Sequence, residues 1–489
     1  MAATVSRSEP AVGAAASAAA SAAASAATGA AAVVVSAGSK RVGDAAATDQ
    51  PQRHISVLYI VMVAVAMVVG AGIFRSPAEI AANAGSAFWL FTAWIAGGAI
   101  SLVGALCYAE LAAAFPSAGG DYHFLKTAYG RNIAFLFAWA RFAVINTGSI
   151  ALLGFVLGDY TNSVYSLGER GASIYALLAI AAMTLFNLKG LYTGASADYT
   201  MTGLEVGGLL LVFASGVVMV LNAAPPLVAD AAATPGIPST FGLALLFVMF
   251  AFMGWNEVAT MSAEVKDPNR GMVRALVASI LTITVLYLAA NWAMWRGLGI
   301  SGLAHSRTPA ADVIGLAFGE HAGLLTAIAI AMATITSINA TIVVGARTTY
   351  AAAADWPLLQ RIGRWDASRG IPTRAILVQS ALAVVLVVFG TWTREGFTTM
   401  VDYSSPVFWL FLTLSGIAVL VLRRTHPHVP RPFRVPFYPV LPVLFCMASL
   451  FVLWSSIEYV RLGAMVGLAV LAVGGLLLLY MRRDARIRS

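Results

Sequence analysis

A chain of 489 residues with 60% hydrophobic and 11% charged residues, at a mean hydropathy of +0.82, carries more apolar surface than one soluble core can hide. It reads as a polytopic membrane protein. The net charge of +8 is scattered between apolar runs rather than gathered with interleaved aromatics, which argues against a nucleic-acid interface, and the two cysteines, Cys107 and Cys446, both sit in apolar segments and give no disulfide framework.

Residues 1–53 are dominated by Ala, Ser and Gly and hold no bulky apolar or aromatic residue between Val12 and Val33, so they read as a disordered cytoplasmic tail. A secretory signal fits poorly, because the tract lacks a basic start and a compact apolar region. From Ile55 onward the sequence predicts twelve spans. They lie near 55–83, 86–114, 132–158, 172–190, 195–222, 240–264, 273–295, 320–350, 374–392, 398–422, 438–457 and 462–481, each near the roughly 20 residues a bilayer requires. A short tail, 483–489, follows.

Of the 30 Lys and Arg, a cytoplasmic N-terminus puts 23 in tails and cytoplasmic loops, 5 outside (Arg170, Arg296, Arg307, Arg394, Arg461) and 2 inside spans (Arg75, Arg141). This asymmetry predicts both termini in the cytoplasm. The basic clusters at 361–374 and 423–434 fit the same rule and leave contact with anionic lipid open.

Two spans carry a break. Val68-Val-Gly-Ala-Gly-Ile-Phe74 places three small residues inside the first, and Phe252-Met-Gly-Trp-Asn256 interrupts the sixth. Five spans run from each break inclusive, and an odd number per unit forces opposite orientation. The pattern predicts two inverted units, 54–223 and 239–424, plus a terminal pair at 437–482, with the breaks facing each other at the midplane. Membrane helices lose backbone hydrogen bonds only where protein, water or a ligand replaces them. A helix restarting after Gly72 offers free N–H groups for a carboxylate. The carbonyls of Val68, Phe250, Ala251 and Met253 offer acceptors for an ammonium group, so the pair matches the common groups of an α-amino acid. Close packing of small residues is the plainer alternative for either break alone.

Several motifs carry a resemblance. Val69-Gly-Ala-Gly-Ile-Phe74, Ala109-Glu-Leu-Ala-Ala-Ala-Phe-Pro116 with Gly119-Gly-Asp-Tyr122, Gly254-Trp-Asn-Glu257 leading to Glu264-Val-Lys-Asp-Pro268, and Arg431-Pro-Phe-Arg-Val-Pro-Phe-Tyr-Pro439 occur in that order. Together the chain resembles the amino acid-polyamine-organocation (APC) transporters, and most of all the L-amino-acid-transporter branch and its bacterial relatives. The resemblance implies an all-α, LeuT-type fold of twelve transmembrane helices in a five-plus-five inverted repeat, with no enzymatic reaction and no cofactor or metal. It assigns the substrate carboxylate to the backbone around Gly70, Ala71, Gly72 and Ile73 and the amine to carbonyls near Val68, Phe250, Ala251 and Met253, beside Gly254. Phe250 matches the aromatic gate of that family, Trp255 and Asn256 fall in the unwound stretch, and Ser337 and Asn339 of the eighth span match positions near the site.

Two departures from that pattern stand out. Where many members carry a Lys in the fifth span, this chain reads Met201-Thr-Gly-Leu-Glu-Val-Gly-Gly208. Glu205 then lies roughly 15 Å deep at 1.5 Å per residue, where a carboxylate is costly unless paired, protonated or hydrated. That makes it a candidate proton-coupling group, with an ion pair to Arg141 of the third span as the structural alternative. The second departure is that Asp159–Gly171, expected as the loop between the third and fourth spans, holds no Cys, so no disulfide-linked accessory subunit is expected.

Arg75 has two readings, a substrate or vestibule contact and an i,i+4 pair with Glu79. Glu110, Asp121 and Glu264 lie near cytoplasmic ends, either with Lys126, Lys266 and Arg270 as candidate gate partners or as solvated surface charge. The histidines show no metal-ligand spacing. The sequence predicts a secondary amino acid transporter of the bacterial inner-membrane type, with small-molecule amino acids, and in the coupled case protons, as partners besides lipid. Proton-coupled uptake and exchange are both open, as are a polyamine or basic amino acid antiporter and, from another class, a channel or amino acid sensor.

Overall fold

The computed structural model describes residues 56–117, 119–189, 195–228, 236–265, 270–356, 360–364, 366, 371–393, 395–458 and 461–488. The expected N-terminal tail lies outside them. Among the described residues the fold is helical throughout, with one isolated β-bridge between Asp366 and Ile371.

In chain order, α1 covers Val57–Val68, α2 Ser76–Ala84, α3 Ala87–Ala114, α4 Asp121–Tyr129, α5 Arg131–Ala140, α6 Asn146–Val164, α7 Gly171–Leu188, α8 Ala195–Leu221 and α9 Phe241–Ala251. Then come α10 Gly271–His305, α11 Pro309–Phe318, α12 Glu320–Asp355, α13 Thr373–Thr393, α14 Gly396–Thr425, α15 Val440–Glu458 and α16 Arg461–Arg488. A 3-10 turn, Ala71–Phe74, joins α1 to α2, a π-helical turn, Arg141–Ile145, joins α5 to α6, and a 3-10 stretch, Trp255–Glu264, follows α9.

Eleven stretches among the described residues are long and apolar enough to cross a membrane. The first expected span is not among them, because its 12-residue and 9-residue halves are each too short. Local signals explain the ends: the Ser56 and Ser86 hydroxyls accept hydrogen bonds from the Tyr59 and Trp89 amides, and Gly85, at φ 67°, closes α2 in the left-handed conformation that glycine adopts most easily.

The sequence missed two helices. α4 and α11 are short amphipathic segments between spans, too brief for a hydropathy window. The third span also runs on to Val164, so Asp159 stands on a helix and not in a loop. α16 extends to Arg488 through the stretch expected as a tail.

Among the described residues the interior is one large apolar core, in which Trp94, Tyr108, Tyr160, Tyr287 and Trp409 are fully buried, with a smaller cluster of Phe135, Ala353, Trp356 and Leu478. Large apolar side chains such as Leu58, Phe88, Ile95, Leu178, Leu325 and Met447 point outward. A surface this apolar is one that faces lipid.

Candidate functional site

The first break is tight. α1 ends at Val68, Gly70 is extended (φ −104°, ψ 179°), and its amide donates to the Val68 carbonyl at 2.9 Å. The chain restarts as the turn Ala71–Phe74, where the Ile73 amide donates to the Gly70 carbonyl at 3.3 Å and the Ala71 and Gly72 amides come ahead of any carbonyl of the turn. At the second break the Phe252 amide donates to Val248 O and the Met253 amide to Phe250 O, both at 3.1 Å, and Gly254 then takes φ 113°.

The two breaks face each other, backbone to backbone. A Cβ on Gly254 would lie 2.6 Å from the Met67 carbonyl oxygen and 3.5 Å from the Val68 nitrogen. The same probe on Gly70 or Gly72 meets nothing within 4 Å. One side of the junction is therefore closed contact and the other is open space.

Tyr287 of α10 bridges the junction. Its buried hydroxyl reaches the Val68 carbonyl at 2.9 Å and the Ala251 carbonyl at 3.1 Å, sharing its proton between two of the acceptors expected for an ammonium group. The Phe250 carbonyl is engaged within its own turn, and the Phe250 side chain is only partly buried. Ile73 is buried, and Trp255 packs edge-on against Tyr108.

Two expected residues meet away from the backbone junction. Ser337 of α12 donates to Glu205 of α8 at 3.2 Å, and Glu205 is buried. The turn Ala71–Phe74 packs on α12, which puts this pair's helix against the first break. Asn339 accepts a 2.6 Å hydrogen bond from Asn187 of α7.

Arg141 does not pair with Glu205. Its Nη2 donates to Glu257 Oε2 at 2.8 Å. The reason lies in the π-helical turn that starts at Arg141: one extra residue per turn changes which face the guanidinium presents, and the 3-10 stretch after Gly254 brings Glu257 to meet it.

Beside that pair opens a small cleft of about 40 Å³, lined by Asp121, Arg141, Asn146, Asn256, Glu257 and Ser415 among apolar residues from α5, the π-helical turn and α14. Asp121, at the start of α4, accepts from Tyr108 (2.5 Å) and Ser415 (3.0 Å) on one oxygen and from Asn256 (2.9 Å) on the other. One carboxylate thus ties together α3, α14 and the helix after the second break. Burial, reinforced by nearby Glu257, pushes the Asp121 carboxyl above its ordinary range.

On the far side of the first break, Arg75 bonds both Glu79 (3.0 Å) and Asp159 (3.3 Å) and stands 5.4 Å from the Phe397 ring centre. Two carboxylates hold it, and the pair with Glu79 is the one the sequence offered. On the opposite side Glu110 is held by residues far along the chain. Arg423 binds it with two hydrogen bonds of 2.7 and 2.6 Å, the Val435 amide donates at 2.7 Å, and Arg431 approaches to 3.6 Å. Sequence distance hid this: Glu110 and Arg423 are 313 residues apart. The Glu264 side chain and Lys266 lie outside the described residues. Both cysteines are free and buried, and among the described residues no group of three or more His, Cys, Asp or Glu is placed to hold a metal ion.

Sequence reasoning missed Tyr287 and the Tyr108–Asp121–Ser415 set. The signal for Tyr287 was a lone phenol inside the apolar run Leu281-Thr-Ile-Thr-Val-Leu-Tyr287, where a hydroxyl in lipid-depth protein needs a partner.

A multi-span helical bundle with two helices broken at facing glycines, and polar groups gathered around that junction, defines a membrane permease rather than an enzyme. The chain belongs to the amino acid permease family, whose model matches residues 55–477. It is similar to the serine/threonine exchanger SteT of Bacillus subtilis (strain 168), with 26% identity over 86% of this chain and 96% of that protein. It is also similar to the b(0,+)-type amino acid transporter 1 of Mus musculus, 25% identical over 84% of each chain, and to the large neutral amino acids transporter small subunit 2 of Rattus norvegicus, 26% identical over 86% of this chain and 79% of that protein.

Proposed function

We propose that this protein carries α-amino acids across the bacterial inner membrane by alternating access, as an exchanger, with the substrate held between the two breaks. The observation that carries the reading is the junction itself, where the Gly254 backbone abuts Met67 and Val68 while the space beside Gly70 and Gly72 is open. Amide donors at the restart of the first span receive the carboxylate. The Val68 and Ala251 carbonyls, bridged by Tyr287 in this conformation, receive the ammonium group. Phe250 closes over the substrate. The remaining backbone of the site comes from Ala71, Ile73, Met253 and Gly254, with Asn256 and Ser337 beside it.

Exchange is favoured over proton-coupled uptake by similarity to a protein named as an exchanger. Glu205, held by Ser337, is the group through which a proton would couple. Twelve spans in two inverted units, with both termini cytoplasmic, complete the reading.

Purified protein in liposomes tests it. Loading with unlabelled serine is expected to accelerate entry of labelled serine, with saturation. Flux that rises linearly with concentration and ignores internal amino acid points to a channel and overturns the carrier. Glu205→Gln separates the energetics. An exchanger without proton coupling keeps its pH profile, whereas a flattened profile assigns coupling to Glu205.

A further inference from the structure

Every α-amino acid offers the same ammonium and carboxylate to the breaks, so discrimination has to come from what lies beside them. The cleft follows the second break along the chain: no residue of either break lines it, but Asn256 and Glu257, on its wall, are two and three residues past Gly254. That wall carries one guanidinium and two carboxylates. Asp121 is committed to three donors from its neighbours. The Arg141–Glu257 pair is not so tightly held. It rests on one 2.8 Å contact, the two side chains are 18% and 30% exposed, and Arg141 Nε is buried without a partner.

The rest of the wall fixes what the pair can tolerate. Phe137, Ile145, Phe408, Phe411 and Leu412 are apolar and offer a displaced charge nothing. As a unit the pair is neutral. A ligand with a cationic end competes with Arg141 for Glu257, and one with an anionic end competes with Glu257 for Arg141. Either way a second charge is left less compensated beside apolar side chains, which costs free energy. A ligand with an uncharged end disturbs neither member. The π-helical turn supports a built feature here, since such turns recur at functional sites and this one begins at Arg141 and is closed by the Asn146 amide bonding the Arg141 carbonyl, with both residues on the cleft.

We infer that the Arg141–Glu257 ion pair is a charge filter, a specificity-determining device that restricts this transporter to amino acids whose side chains are uncharged. The inference rests on the transport reading above and narrows its substrate class. It also argues against the polyamine or basic amino acid reading, because the Glu257 carboxylate already has Arg141 as its cation.

The test uses the full-length protein in liposomes loaded with serine, measuring labelled serine entry against competing leucine, lysine and glutamate. Wild type is expected to be inhibited by leucine at concentrations at least tenfold lower than by lysine or glutamate. Glu257→Gln leaves Arg141 unpaired, and inhibition by glutamate is expected to strengthen at least tenfold relative to leucine while lysine stays weak. Arg141→Gln produces the reverse, with lysine gaining and glutamate weak. Arg141→Glu combined with Glu257→Arg restores the wild-type order. Wild type that accepts charged competitors as readily as leucine overturns the filter, as do single variants whose ratios stay within twofold of wild type. Where the single variants fail to insert, Arg141→Gln combined with Glu257→Gln decides: relaxed exclusion of both charged amino acids by tenfold or more supports the filter, and unchanged exclusion overturns it. Failure of the filter leaves serine exchange intact with unaltered ratios. Failure of the transport reading shows differently, as wild-type liposomes with no serine exchange at all.

Discussion

The two breaks do opposite work. Around Gly70 and Gly72 nothing lies within 4 Å of where a side chain would begin, and Gly70 keeps an extended backbone that any residue can adopt. Gly254 is the reverse: φ is 113° and the next backbone is 2.6 Å from its missing Cβ. The first break supplies room and the second supplies position. A single site needs both, since space without a fixed wall selects nothing and a wall without space admits nothing.

The contrast is broken most severely at Gly254. Gly254→Ala forces a strained φ and pushes Met67 away, at a combined cost of about 3 kcal/mol or more. Thermal unfolding in detergent should fall by several degrees and serine exchange should be lost; a variant that exchanges normally would show that the second break does not set position. Tyr287→Phe comes next. It leaves the Ala251 carbonyl without its hydroxyl donor, a loss of about 1–2 kcal/mol, and it should lower both the unfolding temperature and the exchange rate. Unchanged stability would mean that the hydroxyl bridges nothing that matters.

Gly70→Ala sharpens the comparison from the other side. With open space around it, the fold should change by no more than about 0.5 kcal/mol, while the substrate concentration for half-maximal exchange rises several-fold because the added methyl occupies the space the substrate uses. A stability loss as large as that of Gly254→Ala would erase the distinction between the breaks.

The smallest expected effect is on pH dependence. Asp121 has its folded value raised by burial, so between the ordinary carboxylate value of about 4 and that raised value the folded protein holds a proton the unfolded chain has released. Stability from this group is full below the ordinary value and declines as pH rises through the folded one. Asp121→Asn removes the exchange of protons, and the slope of unfolding temperature against pH should flatten over that window.

Composition and the small-residue runs made the helical bundle and its two breaks legible, because hydropathy and glycine placement are local properties. Glu205 and Ser337, 132 residues apart, were both singled out, and they meet. The partner of Arg141 was not legible. It depends on a π-helical turn and on a 3-10 stretch where an ordinary helix was expected, and each rotates a side chain by a fraction of a turn that no periodicity records. Glu110 failed for a different reason: its partners come from beyond the tenth span, and local charge pairing always points to neighbours in sequence.

The Glu110 cluster has a mechanical meaning. Arg423 grips the carboxylate of α3 with two bonds and lies 3.8 Å from the centre of the Tyr438 ring, while Arg431 donates to the carbonyls of Leu422, Pro427, His426 and Val429. The end of α3, the end of α14 and the proline-rich segment are thus riveted at one corner. Pulling them apart breaks a buried ion pair at about 3–5 kcal/mol, whereas turning about that corner breaks nothing. A cycle of opening and closing that kept these contacts would turn about this corner, with the amplitude of movement growing with distance from it.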